Sequence, residues 1–162
     1  MAPRPTFVVA ERNAGKTTAL KALLQRPPYD TMKVCGVLAL ANDDKTQYTL
    51  IDLASKERRL ALTTEVKAQW PAVGRFFYDE QAFAWANGLI ISSLATAELA
   101  VFDEIGRLEV AGGGLAMAFF QALHTAHVQV VAAVRTCLVD EVKEAFAVGE
   151  AEILRVGERG DE

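Results

Sequence analysis

The chain has 162 residues, of which 51% are hydrophobic and 23% charged, and its formal net charge is −4. This length and composition predict one compact domain spanning residues 1–162 and exclude a largely disordered protein. The acidic balance gives no strong case for nucleic-acid binding, which requires a basic face.

Membrane insertion and export are not indicated. The opening MAPRPTFVVA has no apolar run long enough for a signal peptide, and GLIISSLATAELAVF is interrupted by polar residues and too short to span a bilayer. The two cysteines, Cys35 and Cys137, are too few for a disulfide framework. We therefore expect a cytoplasmic protein without a membrane partner.

The first predicted elements are a strand, a loop and a helix. An apolar run at residues 6–9 precedes AERNAGKTT, and leucines at helical spacing follow until Pro27 and Pro28 end the helix. VCGVLAL then predicts a buried second strand. Residues 48–64, YTLIDLASKERRLALTT, predict two short strands of an antiparallel hairpin around a charged turn.

Helices and strands alternate in the second half of the chain. Residues 79–94 predict a helix whose apolar side holds Phe83, Ala84, Leu89 and Ile90. LAVF predicts a buried strand, and a helix containing Met117, the strand VQVVAAV, a helix at about residues 139–147 and the strand EILRV follow. This order predicts an α/β fold in which helices cover both faces of a mostly parallel sheet.

The stretch AERNAGKTT matches a phosphate-binding loop, or Walker A motif, of the form G-x-x-x-x-G-K-[ST], except that alanine replaces the first glycine. Backbone N–H groups of such a loop surround phosphates, the lysine neutralises their charge and the hydroxyl binds magnesium. The following helix directs its positive N-terminal end at the anion. The predicted nucleotide-binding residues are Ala10, Glu11, Arg12, Asn13, Ala14, Gly15, Lys16, Thr17 and Thr18.

The run AVFDEIGRLEV supplies the acids that such a loop needs, in the position of a Walker B motif. Asp103 comes at the carboxyl end of the LAVF strand, where ligands collect in open α/β sheets, and is predicted to hold magnesium through water, with Thr17 as the other metal-binding residue. Glu104 is predicted to orient or deprotonate the attacking water, which makes Glu104 and Lys16 the catalytic candidates. Glu109 either supports this site or faces solvent.

Arginines are candidates to stabilise charge on the transferred phosphoryl group. Arg135 ends the VQVVAAV strand, on the edge of the sheet that carries Asp103 if that strand is parallel. Arg12 lies inside the loop, and Arg75 follows Gly74.

Other polar and aromatic features have ordinary explanations. No third ligand accompanies His124 and His127, so we expect them at the surface or at a helix end, and SKERRLA is typical of a solvated turn. We expect core or partner contacts for the aromatic side chains of Trp70, Phe76, Phe77 and Trp85.

The run DEIGRLE after a Gly-Lys-Thr-Thr loop resembles the small P-loop nucleoside-triphosphatase family first recognised in thermophilic bacteria. The likeness extends to VGRFFYDEQAF and more faintly to VVAAVR and VGERGDE. It implies a three-layer α/β/α fold with a strand between the loop strand and the Asp103 strand. It also implies magnesium-dependent hydrolysis of nucleoside triphosphates with broad base tolerance, carried by Lys16, Thr17, Asp103 and Glu104, with Arg159 beside the base.

Two departures from that family leave other functions open. Ala10 replaces the usual glycine, and ALANDDKTQ lacks a Glu-x-x-Arg pattern, which favours a nucleotide-binding adapter that signals to a protein partner and turns nucleotide over slowly. A small-molecule or nucleoside kinase is the other alternative. It would need an acceptor pocket and an arginine-bearing lid, for which the sequence offers only the KERR turn.

Overall fold

The computed structural model describes residues 3–11 and 15–156. Its strands are β1 (Thr6–Ala10), β2 (Val34–Ala41), β3 (Gln47–Asp52), β4 (Arg58–Thr63), β5 (Ala72–Val73), β6 (Phe76–Tyr78), β7 (Leu99–Phe102), β8 (Gln129–Arg135) and β9 (Glu152–Arg155). Its α-helices are α1 (Lys16–Leu24), α2 (Glu80–Ser93), α3 (Arg107–Val110), α4 (Ala116–Leu123) and α5 (Val139–Ala145), and single 3₁₀ turns lie at Tyr29–Thr31 and Thr136–Leu138.

The strands described here form one sheet in the order β5-β6-β4-β3-β2-β7-β8-β1-β9. Neighbours from β2 to β9 are parallel, and neighbours from β5 to β2 are antiparallel. Strand β8 lies between β1 and β7, as the family resemblance implied. The predicted hairpin is β3–β4, and a second pair, β5–β6, which was not predicted, extends it.

Helices cover both faces of the sheet because successive side chains of a strand point to opposite sides. Val8 of β1 packs with Leu20 and Leu23 of α1 on one face, whereas Phe7 and Val9 join the core formed with α2, α4 and α5 on the other. The predicted three-layer α/β/α fold is thus confirmed. The carboxyl ends of β1, β7 and β8 meet at one edge, which is where α1 begins.

Helix α2 begins where predicted but buries a slightly different side. The Asp79 side chain caps it by accepting a 3.0 Å hydrogen bond from the amide of Gln81. The predicted apolar side was wrong for Ala84, which is exposed, and Leu89 is only half-buried. The helix instead buries Ala82, Phe83, Ala86 and Ile90. Alanine is small enough for either side of a helix, so its position alone did not fix the rotation.

Candidate active site

The phosphate-binding motif lies between β1 and α1, as predicted. Ala10 is the last residue of β1, is buried, and pairs with Arg135 of β8. Gly15 immediately precedes α1 with φ 86° and ψ 27°, a left-handed conformation that glycine adopts without a steric cost. The predicted site residues Arg12, Asn13 and Ala14 lie outside the described residues.

Lys16, the first residue of α1, is buried and directed at the carboxyl edge of the sheet. Its ammonium group donates a 3.3 Å hydrogen bond to the carbonyl oxygen of Glu11 and lies 3.8 Å from Oε2 of Glu104. Glu11 and Thr18 are exposed at either side of the lysine. The two predicted halves of the site therefore meet at this ammonium group.

Thr17 and Asp103 are joined directly. The Thr17 hydroxyl donates to Oδ2 of Asp103 over 2.7 Å, and the amide of Ala39 in β2 donates to the same oxygen over 3.0 Å. Burial raises the pKa of the Asp103 carboxyl and the hydrogen bonds from Thr17 and Ala39 oppose this rise; the net result is a pKa of about 6. Because the Thr17 hydroxyl is the donor in this hydrogen bond, the lone pairs of its oxygen remain for a metal ion.

Glu104 lies between two cationic side chains. Its Oε2 atom is 3.8 Å from the ammonium group of Lys16 and 3.9 Å from Nε of Arg135, the last residue of the parallel strand β8. Both Oε2 of Glu104 and Nε of Arg135 are buried without a hydrogen-bond partner in the described part of the chain. Buried polar atoms are normally satisfied, so Oε2 of Glu104 is left to accept from water, and Nε of Arg135 to donate to water or a phosphate oxygen.

Glu109 is buried in α3, which settles the alternative that the sequence left open. Its Oε1 accepts a 2.8 Å hydrogen bond from the amide of Gly106, and its Oε2 accepts a 3.0 Å bond from the amide of Leu115. Burial raises the pKa of the Glu109 carboxyl and the hydrogen bonds from both amides oppose this rise; the net result is a pKa of about 7. Glu109 thus fixes the backbone that follows Glu104 and does not face solvent.

A cavity of about 450 Å³ lies in front of these groups. Lys16, Thr17, Asp103, Glu104 and Arg135 all line it. Its size falls within the range typical of small-molecule sites. The arrangement therefore offers a cleft with a cationic side, a pair of carboxylates and a helix N-terminus.

The KERR turn lies away from this cavity. Strand β3 runs antiparallel to β2, with Ala41 opposite Tyr48 and Val37 opposite Asp52, so the β3–β4 turn is at the far end of the sheet from Asp103. None of its residues lines the cavity. Its residues are exposed, as expected for a solvated turn, and its position does not suit the arginine-bearing lid that the kinase alternative would need.

Basic side chains on other turns do reach the cavity, and sequence reasoning missed two of them. The two that it missed are Lys45, which follows β2, and Arg107, which begins α3. Both line the cavity together with Arg75 of the β5–β6 turn. The Arg75 guanidinium donates a 3.1 Å hydrogen bond to the carbonyl of Lys45 and lies 4.9 Å from the ring centre of Phe76. The isolated basic residues of the sequence gave no signal that they would meet.

The remaining candidates lie elsewhere. His124 Nδ1 is 2.9 Å from the carbonyl of Phe120 and His127 Nε2 is 2.8 Å from that of Leu94, so each ring has its own backbone partner. Across residues 3–11 and 15–156, no group of three or more His, Cys, Asp or Glu side chains is placed to hold a metal ion. Arg159 lies outside the described residues. No helix of the described chain is long and apolar enough to cross a membrane.

The aromatic candidates divide between the cavity and other packing sites. Trp85 lies under the guanidinium of Arg59 at 4.9 Å, and Trp70 lies 5.8 Å from the ammonium group of Lys67. Phe76, in contrast, lines the cavity.

Comparisons with known proteins bear on the family and the fold. A family model described as NTPase matches residues 6–159. A crystal structure of THEP1 from the hyperthermophile Aquifex aeolicus superposes with a TM-score of 0.76 at 20% identity, covering 95% of this chain and 90% of that one. A solution structure of a human cancer-related nucleoside triphosphatase gives a TM-score of 0.74 at 18% identity, covering 97% and 90%. A search of curated proteins found no significant match.

Proposed function

Because the chain belongs to the NTPase family, whose model spans residues 6–159, we propose that it hydrolyses ATP, GTP and related nucleoside triphosphates in a magnesium-dependent reaction. The products are the nucleoside diphosphate and phosphate. The resemblance found in the sequence is confirmed by this match, and the chain is an NTPase. The proposal concerns its substrates, its metal and the roles of its residues.

One observation carries the proposal: Lys16, Thr17, Asp103 and Glu104 converge on one cavity from two distant parts of the chain. Lys16 would neutralise the terminal phosphates, with the backbone N–H groups at the start of α1 directed at the same anion. Residues 10–18 remain the proposed nucleotide-binding residues, and of these the structure describes Ala10, Glu11 and Gly15 to Thr18.

The oxygen atoms present suit magnesium, which prefers hard oxygen ligands and usually takes few of them from protein. We propose that the Thr17 hydroxyl holds the ion directly and that Asp103 orients that hydroxyl through the 2.7 Å hydrogen bond and holds the ion through water. A bound magnesium ion would supply positive charge against the β- and γ-phosphates.

Glu104 is the proposed residue for the attacking water. Its Oε2 atom is buried and has no hydrogen-bond partner among the described residues, and Glu104 lines the cavity. This oxygen is therefore placed to accept a proton from water near the terminal phosphate. Arg135 and Lys16 flank that oxygen and would stabilise the negative charge on the phosphoryl group. Positioning and electrostatics would then supply most of the rate enhancement.

A phosphate-release assay with ATP, GTP, CTP and UTP, each with and without magnesium, tests the proposal. We expect phosphate from several of the four only when magnesium is present, and loss of nucleotide binding in Lys16→Ala. Lys21→Ala, which removes an exposed lysine from the same helix, is the matched control and should behave as wild type. Tight nucleotide binding without phosphate release would instead select the adapter.

We also propose that the protein works in the cytoplasm. Both cysteines are free thiols, Cys35 in the core and Cys137 at the surface, as a reducing compartment would keep them.

A further inference from the structure

The cavity extends beyond the phosphate-binding groups into a part lined by apolar and aromatic side chains. Leu50, Leu62, Tyr48 and Phe76 come from the antiparallel strands and Phe83 from α2; together we call them the inner chamber. Tyr48 and Phe76 form an edge-to-face pair with ring centres 5.6 Å apart. Such walls suit a flat apolar body and offer little to a triphosphate chain.

Three exposed cations, Lys45, Arg75 and Arg107, also line the cavity. The β2–β3 turn that carries Lys45 and the β5–β6 turn that carries Arg75 are held together by the 3.1 Å hydrogen bond between these two residues. None of the three forms an ion pair with a carboxylate among the described residues, in contrast to Lys16 and Arg135, which flank Glu104. Their charge is available for an anion other than the catalytic carboxylate.

Few carboxylates line the cavity. Of its described lining residues, only Asp103, Glu104 and Glu109 are acidic; Asp103 and Glu104 belong to the proposed magnesium and water end, and Glu109 accepts hydrogen bonds from the amides of Gly106 and Leu115. The combination of an apolar chamber and three unpaired cations is therefore complementary to an organic anion.

We propose that the inner chamber binds a second small molecule, an organic anion with a flat apolar body, at the same time as the nucleotide. This inference rests on the proposed function, which places the triphosphate at Lys16 and Thr17. The ligand's apolar body packs against Leu50, Leu62 and Phe83, and its anionic group lies at Lys45, Arg75 and Arg107.

Calorimetric titration of phenyl phosphate into the full chain, saturated with a non-hydrolysable ATP analogue and magnesium, tests this proposal. We expect saturable binding, at least tenfold tighter than that of inorganic phosphate or phenol, because both the ring and the charge are recognised. Absence of saturable binding, or equal affinity for phenyl phosphate and inorganic phosphate, would overturn the proposal.

Two sets of variants locate the bound probe. Leu62→Trp fills the inner chamber and should weaken phenyl phosphate binding at least tenfold, whereas Val66→Trp adds the same ring at a residue that is 82% exposed and should not. The double variant Lys45→Met/Arg75→Met should also weaken binding at least tenfold. Lys56→Met/Arg58→Met removes the same charge at the far end of the sheet and should leave the affinity unchanged. These charge variants test the proposal even if Leu62→Trp fails to fold.

The same titrations separate this proposal from the proposed function. If the saturating analogue excludes phenyl phosphate and Leu62→Trp weakens the analogue itself, the chamber holds the nucleotide's own base and the inference is wrong. If the wild-type chain binds no analogue, the proposed function fails instead. Phenyl phosphate binding by nucleotide-free Lys16→Ala would then still support the chamber.

Discussion

The hydroxyl of Thr17 donates a 2.7 Å hydrogen bond to Oδ2 of Asp103, which joins the start of α1 to the end of β7. The Ala39 amide of β2 donates to the same oxygen, so three separate parts of the chain fix this carboxylate. A metal ligand oriented in this way loses little entropy when it binds an ion. This contact is the basis of the first prediction.

Asp103→Asn should raise the magnesium concentration needed for half-maximal nucleotide binding by about 10- to 100-fold, because the negative charge beside the ion is lost, and changes to an outer partner of a metal site commonly cost this much. The amide oxygen can still accept from Thr17 and Ala39, so the fold is retained. Asp52→Asn is the matched control, because Asp52 is also buried but accepts from Ser55 at the far end of the sheet. A magnesium titration with unchanged midpoint in Asp103→Asn would remove Asp103 from the metal site.

Arg135→Ala should lower kcat at least tenfold, because arginines that stabilise the transferred phosphoryl group commonly contribute about 10³- to 10⁵-fold to kcat. Its Nε atom lies 3.9 Å from Glu104 and is buried without a hydrogen-bond partner. Arg59→Ala removes an arginine that instead packs on Trp85, and it should keep the wild-type rate. Equal steady-state rates for Arg135→Ala and Arg59→Ala would contradict this role.

Glu109 should make folding stability depend on pH. Burial raises its pKa from 4.5 to about 7, so the folded chain binds the proton more tightly than the unfolded chain. The associated stability is complete below the unfolded pKa and is lost as the pH rises through the folded pKa, by on the order of 3 kcal/mol. Denaturant unfolding between pH 5 and pH 8 should therefore show a steeper loss in wild type than in Glu109→Gln. Exposed Glu144→Gln should follow wild type, and parallel curves for Glu109→Gln would refute the assignment.

Gly36→Ala should disturb the strand pair that presents Ala39 to Asp103. Gly36 has φ 128°, and an added Cβ would lie 2.6 Å from the backbone nitrogen of Val101 and closer still to its carbonyl oxygen. Overpacking against backbone commonly costs about 1–3 kcal/mol, and we expect at least the upper value in urea unfolding. Gly88→Ala, in an open position of α2, should gain up to about 1 kcal/mol. Equal stability of the two variants would contradict the tight contact between β2 and β7.

The parallel half of the sheet could be predicted because its strands are buried on both faces and appear as continuous apolar runs, as in LAVF and VQVVAAV. The convergence of Lys16, Asp103 and Arg135 followed from parallel strands ending at one edge. Strands β5 and β6 were not predicted, since they have two and three residues and only their pairing defines them.

Side-chain environment was harder to predict than strand order. The burial of Glu109 depends on amides at Gly106 and Leu115 that meet only when the chain turns around α3. The KERR turn carries the basic residues that a phosphate-contacting lid would need, but the antiparallel direction of β3 places it at the end of the sheet opposite Asp103. Lys45 and Arg75 are 30 positions apart and meet because their turns adjoin in the folded sheet.

Phosphate release from magnesium-ATP by Glu104→Gln tests the central claim most directly. Glu98→Gln, which alters an exposed glutamate just before the same strand, is its control. The account predicts that Glu104→Gln binds nucleotide with nearly wild-type affinity but releases phosphate at least about 100-fold more slowly, the usual contribution of a positioned general base. Phosphate release by Glu104→Gln at the wild-type rate would contradict it.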